Sequence, residues 1–206
     1  LSADESAVVA VFDGLSEVPG RHDPHVRQWW NLPPFDGRYY AAMPLFAPKE
    51  ARPALNGIVR DAHKAAVCLN AAVLKLMREK GLQTVVLAGI SQGGITAFEM
   101  ALFCHELSSE LEGVVIIGAG IAGADRLRKT AVEPVPFLLV RGTKDEIFPL
   151  SVNCFSESVL REKGIPVSAK AVDSPHFGLE HAAANEVRAF ISGLSAKNRQ
   201  KGKLPA

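Results

Sequence analysis

The stretch Gln83-Thr84-Val85-Val86-Leu87-Ala88-Gly89-Ile90-Ser91-Gln92-Gly93-Gly94, continued by the apolar run to His105, decides how this chain folds. Gln83–Ala88 is short, rich in β-branched and aliphatic residues and closed by glycine, which predicts a strand buried in a parallel sheet. Gly94–His105 is apolar almost all round, as a helix packed against a sheet must be. Between them stands G-x-S-x-G. A serine on such a strand-to-helix turn has its hydroxyl lifted above the sheet, and the glycines let strand and helix approach with no side chain between them. The turn also puts Ser91 and Gln92 at a helix N-terminus, where free N–H groups and the helix dipole favour negative charge. Chance supplies the pentapeptide in about one chain in ten of this composition. Its position between strand and helix therefore carries the argument, and Ser91 is the candidate nucleophile.

Outward from this point the same alternation continues. Ala7–Phe12, Arg38–Met43, Gly113–Ile117, Phe137–Val140 and Val167–Val172 are further apolar runs bounded by turn residues, each predicting a strand. Ile58, Ala62, Ala66, Leu69, Val73 and Met77 recur at helical spacing, predicting a helix over Gly57–Lys80 with a basic last turn and Gly81 as terminator. Ser151–Lys163 and Leu179–Gly193 predict two more. The pattern is that of an α/β protein with a mostly parallel sheet of about six strands and helices on both faces. Residues 1–195 read as one domain and 196–206 as a disordered basic tail carrying Lys197, Arg199, Lys201 and Lys203. Ligands of such sheets bind at the carboxyl ends of the strands, so chemistry is expected there.

Composition narrows the partners. The formal net charge is +1, with 48% hydrophobic and 22% charged residues, which gives no electrostatic case for nucleic acid. No apolar run reaches the length of a membrane span, so stable membrane insertion is not expected. Cys68, Cys104 and Cys154 are odd in number and scattered, which points away from a disulfide framework and makes the cytoplasm the default expectation. Cys68 and Cys104 fall in helical patterns, where a buried, inert thiol is expected. No signal peptide is visible, although a chain opening on Leu1 leaves room for a removed leader. Groupings of acidic and His residues at metal-ligand spacing are absent, no Gly-rich phosphate loop follows the first strand, and neither metal nor organic cofactor is expected.

A serine hydroxyl needs a base, and His is the usual one. Of the six histidines, His22, His25, His63, His105 and His181 lie in helical or helix-start segments. His176 alone follows a strand directly, in Val172-Asp173-Ser174-Pro175-His176-Phe177-Gly178. That loop leaves the sheet at the same rim as Ser91. The acid expected to orient the imidazole follows the intervening strand, where Arg141-Gly142-Thr143-Lys144-Asp145-Glu146 offers Asp145 first. Glu146 is its nearest rival and Asp173 a weaker one. The tetrahedral oxyanion calls for two backbone N–H donors. Gln92 at the elbow is one candidate, and Leu15, after the Asp13-Gly14 turn, is the other.

These pieces together resemble the acyl-protein thioesterase and carboxylesterase family of α/β-hydrolases. Gly89–Gly94, GISQGG, is similar to that family's G-F-S-Q-G-G, and Arg141–Asp145 with Pro149 is similar to its H-G-x-x-D segment. His176, Glu180 and Phe190-Ile191 resemble its last catalytic segment, Phe12–Leu15 its H-G-L turn, and Met43–Pro48 its strand ending in Pro-x-x-Pro. The resemblance implies a Ser-Asp-His triad, an α/β-hydrolase fold, and a small or lipid-like acyl ester or thioester as substrate; the family's opening β-hairpin is reduced in this sequence. The sequence departs from the pattern at Asp13 and Arg141, where the family has His, and in a shortened segment before Gly57. Trp29, Trp30 and Phe148 are candidates for the acyl pocket. Trp29-Trp30 would either wall that pocket or anchor a short helix.

Hydrolysis through an acyl-Ser91 intermediate is the leading expectation. An acyltransferase with the same triad differs only in how well water is excluded. A catalytically silent binding protein is the remaining alternative, with Asp13 beside the oxyanion position as its best support. Oligomeric state is not written in these residues.

Overall fold

A computed structural model describes Ala10, Phe12, Gly14, Ser16–Glu17, residues 27–30, Lys49 and residues 52–201. The strand expected at Arg38–Met43 lies outside the described residues, as do Asp13 and Leu15. Of the one expected at Ala7–Phe12 only Ala10 and Phe12 are described, and neither is in regular structure.

The chain begins with a small antiparallel pair, β1 (Ser16–Glu17) against β2 (Arg27–Gln28). Helix α1 (Arg52–Lys80) follows. It starts five residues earlier than its apolar spacing suggested, because Pro53 is tolerated in a first helical turn and Leu55 extends the buried stripe. Leu55, Ile58, Ala62, Ala66, Val73 and Met77 are all buried. Cys68 falls off this stripe and is exposed, contrary to the expectation of a buried thiol. Gly81, at φ 64°, ends the helix. The Leu82 N–H reaches back to Met77 O at 2.9 Å and the Gly81 N–H to Arg78 O at 3.4 Å, a Schellman closure.

Strand β3 (Val85–Ile90), α2 (Gln92–Phe103), β4 (Leu111–Ile117), α3 (Ala124–Lys129), β5 (Phe137–Gly142), α4 (Leu150–Glu162) and β6 (Val167–Val172) then alternate. A single 3-10 turn, His105–Leu107, lies between α2 and β4. Among the described residues the sheet is four parallel strands in the order β3-β4-β5-β6. Side chains alternate between its faces, as the two-residue period of a strand requires. Val114, Ile116, Phe137 and Leu139 join a large core with α1, α2 and α4. Val115, Ile117, Leu138 and Val140 pack on the other face with α5 (Leu179–Ala182) and α6 (Ala184–Lys201). The central strands β4 and β5 are almost wholly buried, and the outer β3 and β6 are less so. Cys104, just past α2, is buried, and burial pushes its thiol up to about 11, so it is inert as expected.

Between β4 and α3 the loop Gly118-Ala119-Gly120-Ile121-Ala122-Gly123 is buried throughout. Its backbone is met from inside: the Gly118 N–H donates to Val140 O at 2.9 Å and the Ile121 N–H to Ser156 Oγ at 3.0 Å.

Candidate active site

Ser91 is the one non-glycine residue with positive φ among those described, at φ 51° and ψ −122°. Such a conformation costs about 1–3 kcal/mol and persists only where the surroundings impose it. The surroundings here are two hydrogen bonds and two glycines. Ser91 N–H donates to Ile117 O at 3.0 Å, and Ser91 O accepts the Ile95 N–H at 3.1 Å, opening α2. A Cβ on Gly89 would stand 2.2 Å from Gly93 O, and one on Gly94 would stand 2.7 Å from Ala119 Cβ. Only glycine fits either place. Ser91 makes no side-chain cap to its own helix, which leaves the hydroxyl for another partner.

That partner is His176. Its Nε2 lies 3.0 Å from Ser91 Oγ, and its Nδ1 lies 2.9 Å from Asp145 Oδ2. A carboxylate only accepts, so this contact places the ring proton on Nδ1 and leaves Nε2 able to take the serine proton. Asp145 Oδ1 is held by the backbone N–H groups of Ile147 at 2.9 Å and Phe148 at 2.8 Å, which fixes the carboxylate plane. His176 is 5% exposed and the Asp145 side chain fully buried. The rival acids are engaged elsewhere or turned out. Glu146 is exposed. Asp173 pairs with Lys144 at 2.9 Å and accepts from Thr143 at 3.1 Å, and hydrogen bonding from both holds its carboxyl below the usual range.

The two loops are locked together. A Cβ on Gly142 would lie 2.3 Å from Ser174 O, and the Lys144 N–H donates to that oxygen at 3.1 Å. Gly118, at φ 53°, fills the floor, where a Cβ would meet Leu179 Cδ2 at 2.8 Å and Asp145 Oδ2 at 3.2 Å. The sequence reading missed Gly118, because nothing local marks a residue whose constraint comes from three other segments.

Solved structures resemble the fold of this chain in three dimensions. Esterase PE8 superposes with a TM-score of 0.69 at 19% identity, over 88% of this chain and 76% of that one. The chain has an α/β-hydrolase fold. SOBER1 of Arabidopsis thaliana superposes with a TM-score of 0.51 at 20% identity, over 57% of each chain, so the present chain spans little more than half of that protein's length. At these identities the likeness is one of fold. No protein-family model and no curated protein matches the sequence.

Within the hydrolase fold the other candidates sit as follows. Gln92 is the first residue of α2, while Leu15 lies outside the described residues. Its neighbour Gly14 is buried against the Gln28 backbone, where a Cβ would stand 2.2 Å from Gln28 C. Trp29 and Trp30 follow β2 in a bend rather than on a helix, and Trp30 is buried. With Asp61, Lys64, Ala65 and Cys68 they line a cavity of about 220 Å³. Phe148 is buried, with its ring 5.7 Å from the His176 ring. Arg141 pairs with Glu157 of α4 at 3.4 Å. Phe177, Ile147 and Leu150 are exposed apolar residues on or beside the loops carrying His176 and Asp145, and Phe177 is 74% exposed. Among the described residues, no group of acidic, Cys and His side chains could hold a metal ion, and no helix is long and apolar enough to cross a membrane.

Sequence reasoning also missed a buried polar cluster on α2. Glu99 is fully buried and pairs with Arg126 of α3. His63 Nδ1 of α1 lies 3.4 Å away from the same oxygen. Burial pushes the Glu99 carboxyl up to about 7 against the pull of Arg126, and burial with Arg126 lowers the His63 imidazole. The even apolarity of Gly94–His105 hid this residue.

Proposed function

We propose that the chain is a serine hydrolase that cleaves carboxylic esters or thioesters through an acyl-Ser91 intermediate. The observation that carries this reading is the line Ser91 Oγ, His176 Nε2, His176 Nδ1, Asp145 Oδ2, with separations of 3.0 and 2.9 Å. His176 accepts the hydroxyl proton as Ser91 Oγ adds to the acyl carbon, and Asp145 stabilises the imidazolium that results. The proton then goes to the leaving alcohol or thiol. Water deprotonated by His176 attacks the acyl-enzyme and releases the acid, restoring Ser91. Negative charge on the former carbonyl oxygen is met by the Gln92 N–H at the head of α2 and by the Leu15 N–H. The exposed Phe177, Ile147 and Leu150 give the rim an apolar character that favours an acyl chain over a charged substrate.

The test is hydrolysis of chromogenic esters graded from acetyl to palmitoyl, with Ser91→Ala alongside and a fluorophosphonate to label the nucleophile. Ser91→Ala is expected to lower kcat by about 10⁶-fold, in practice below detection. The preferred chain length would size the pocket. Wild-type protein that neither hydrolyses any ester nor takes the label at Ser91 would overturn the proposal.

A further inference from the structure

The side chain of Gln92 has an occupation separate from its backbone. Its Oε1 accepts the Trp29 N–H at 2.9 Å, and its Nε2 donates to Trp30 O at 3.1 Å. One primary amide thus meets a backbone donor and a backbone acceptor on successive residues, through two separate atoms of a single side chain. Trp29 and Trp30 follow β2 directly in a bend, and Gly14 lies against the Gln28 backbone at the end of β2, so closely that a side chain at Gly14 would not fit. The 28–30 segment therefore touches Gly14 at one end and the nucleophile elbow at the other. Gly93, next after Gln92, lies beside the Trp29 indole, where a Cβ would be in ordinary van der Waals contact with Trp29 Nε1 at 3.5 Å.

We propose that the Gln92 side chain is a positioning residue. It holds the 28–30 segment, and Gly14 packed against it, in a fixed place beside the elbow where the oxyanion forms. The inference rests on the reading of Ser91 as nucleophile. Gln92 then serves the oxyanion twice, directly by its own N–H and at one remove by fixing the backbone of residues 28–30 and Gly14 beside the elbow. Hydrogen-bond donors stabilise a developing charge only when already in place, and a misplacement of about 1 Å costs on the order of 10²-fold in rate. A side-chain link of this kind supplies that placement without touching the substrate.

Gln92→Met keeps the length of the side chain and the backbone N–H but removes both bonds, and Gln92→Glu keeps only the acceptor. On an acetyl ester, Gln92→Met is expected to lose about 10–100-fold in kcat with KM within about twofold. A trifluoromethyl ketone adds a second readout. Ser91 Oγ bonds to its carbonyl carbon, His176 takes the serine proton, and the carbonyl electron pair becomes an oxyanion in the hole. Its affinity should fall by the same factor as kcat/KM. The chain has only two tryptophans, both in the clamped segment, so tryptophan emission should shift to the red and acrylamide quenching should rise. Gln92→Glu should fall between wild type and Gln92→Met, and it carries the comparison if the Met variant folds poorly by far-UV circular dichroism.

Unchanged tryptophan emission and quenching in both variants would overturn the clamp. Released tryptophans with kcat and ketone affinity unchanged would overturn its link to the oxyanion hole. If the wild type shows no Ser91-dependent turnover or labelling, the serine-hydrolase reading fails by that separate measurement. The oxyanion role then falls with it, whatever the tryptophans report.

Discussion

Among the described residues the molecule buries two carboxylates, Asp145 beside His176 and Glu99 on α2, and it furnishes them in opposite ways. Both side chains are fully out of solvent. Asp145 has a donor at every turn: two backbone N–H groups on one oxygen and the imidazole on the other. Glu99 has Arg126 on one oxygen, while its Oε1 has no hydrogen-bond partner. Equal burial thus goes with a carboxylate met by three donors in one place and one pushed up to about 7 in the other. Desolvation penalises the charged form, and the number and direction of donors decide how much of that penalty is offset.

The comparison can be broken at Asp145 first. Asp145→Asn keeps shape and burial but no longer demands a proton on Nδ1, and kcat is expected to drop by about 10⁴-fold. Steady-state kinetics on a short ester, with thermal unfolding as control, would check it. A loss below about tenfold would reduce Asp145 to a structural acid.

Arg126→Met probes the other site and should act on stability instead. Removing the cation leaves Glu99 buried without its partner and ends the stacking of Arg126 on Phe103, whose ring centroid is 3.5 Å away. Denaturant unfolding at neutral pH should show a loss of about 3 kcal/mol, limited because Arg126 is partly exposed and Glu99 can take up a proton. Turnover per folded molecule should stay within about threefold. A variant as stable as wild type would show that the pair contributes nothing net.

The smallest effect sharpens the comparison through pH. The Glu99 carboxyl is raised from 4.5 to about 7 in the folded protein. Between those values the folded state therefore binds more protons than the unfolded state. The part of stability linked to Glu99 is fully present below pH 4.5 and is lost as pH rises towards 7. His63, lowered from 6.5 by burial and Arg126, works in the opposite sense, and its contribution is lost as pH falls. Glu99→Gln should remove the first slope. Its stability relative to wild type should then grow by on the order of 2 kcal/mol from acid to neutral pH. A pH-independent difference in unfolding free energy would contradict this account.

The two regions also differ in how far the sequence announced them. Ser91, Asp145 and His176 each follow a strand whose apolar run is visible, and strand ends in such sheets share one rim, so their meeting could be read residue by residue. The strands β4, β5 and β6 lie within two residues of their expected bounds for the same reason. Glu99 sits in a run whose only signal is apolarity, and its partners come from α1 and α3. The Gln92 clamp and the Gly118 floor are likewise fixed by segments distant in sequence. The two-residue pair β1-β2 is too short for any period to show. Cys68 misled because a helical stripe has edges, and one residue off the stripe faces water.

The buried loop Gly118–Gly123 bears on how such a protein can change. Its residues lie against Asp145, His176, Leu179, Glu99 and Ser156, so an insertion or a larger side chain there would disturb several segments at once. The side chains of Phe177, Ile147 and Leu150 stand outside, exposed to solvent. Selection for a new substrate can rework that outer ring a residue at a time while the floor stays closed to variation. Diversity in this fold should therefore accumulate at the mouth of the site and stop one layer below it.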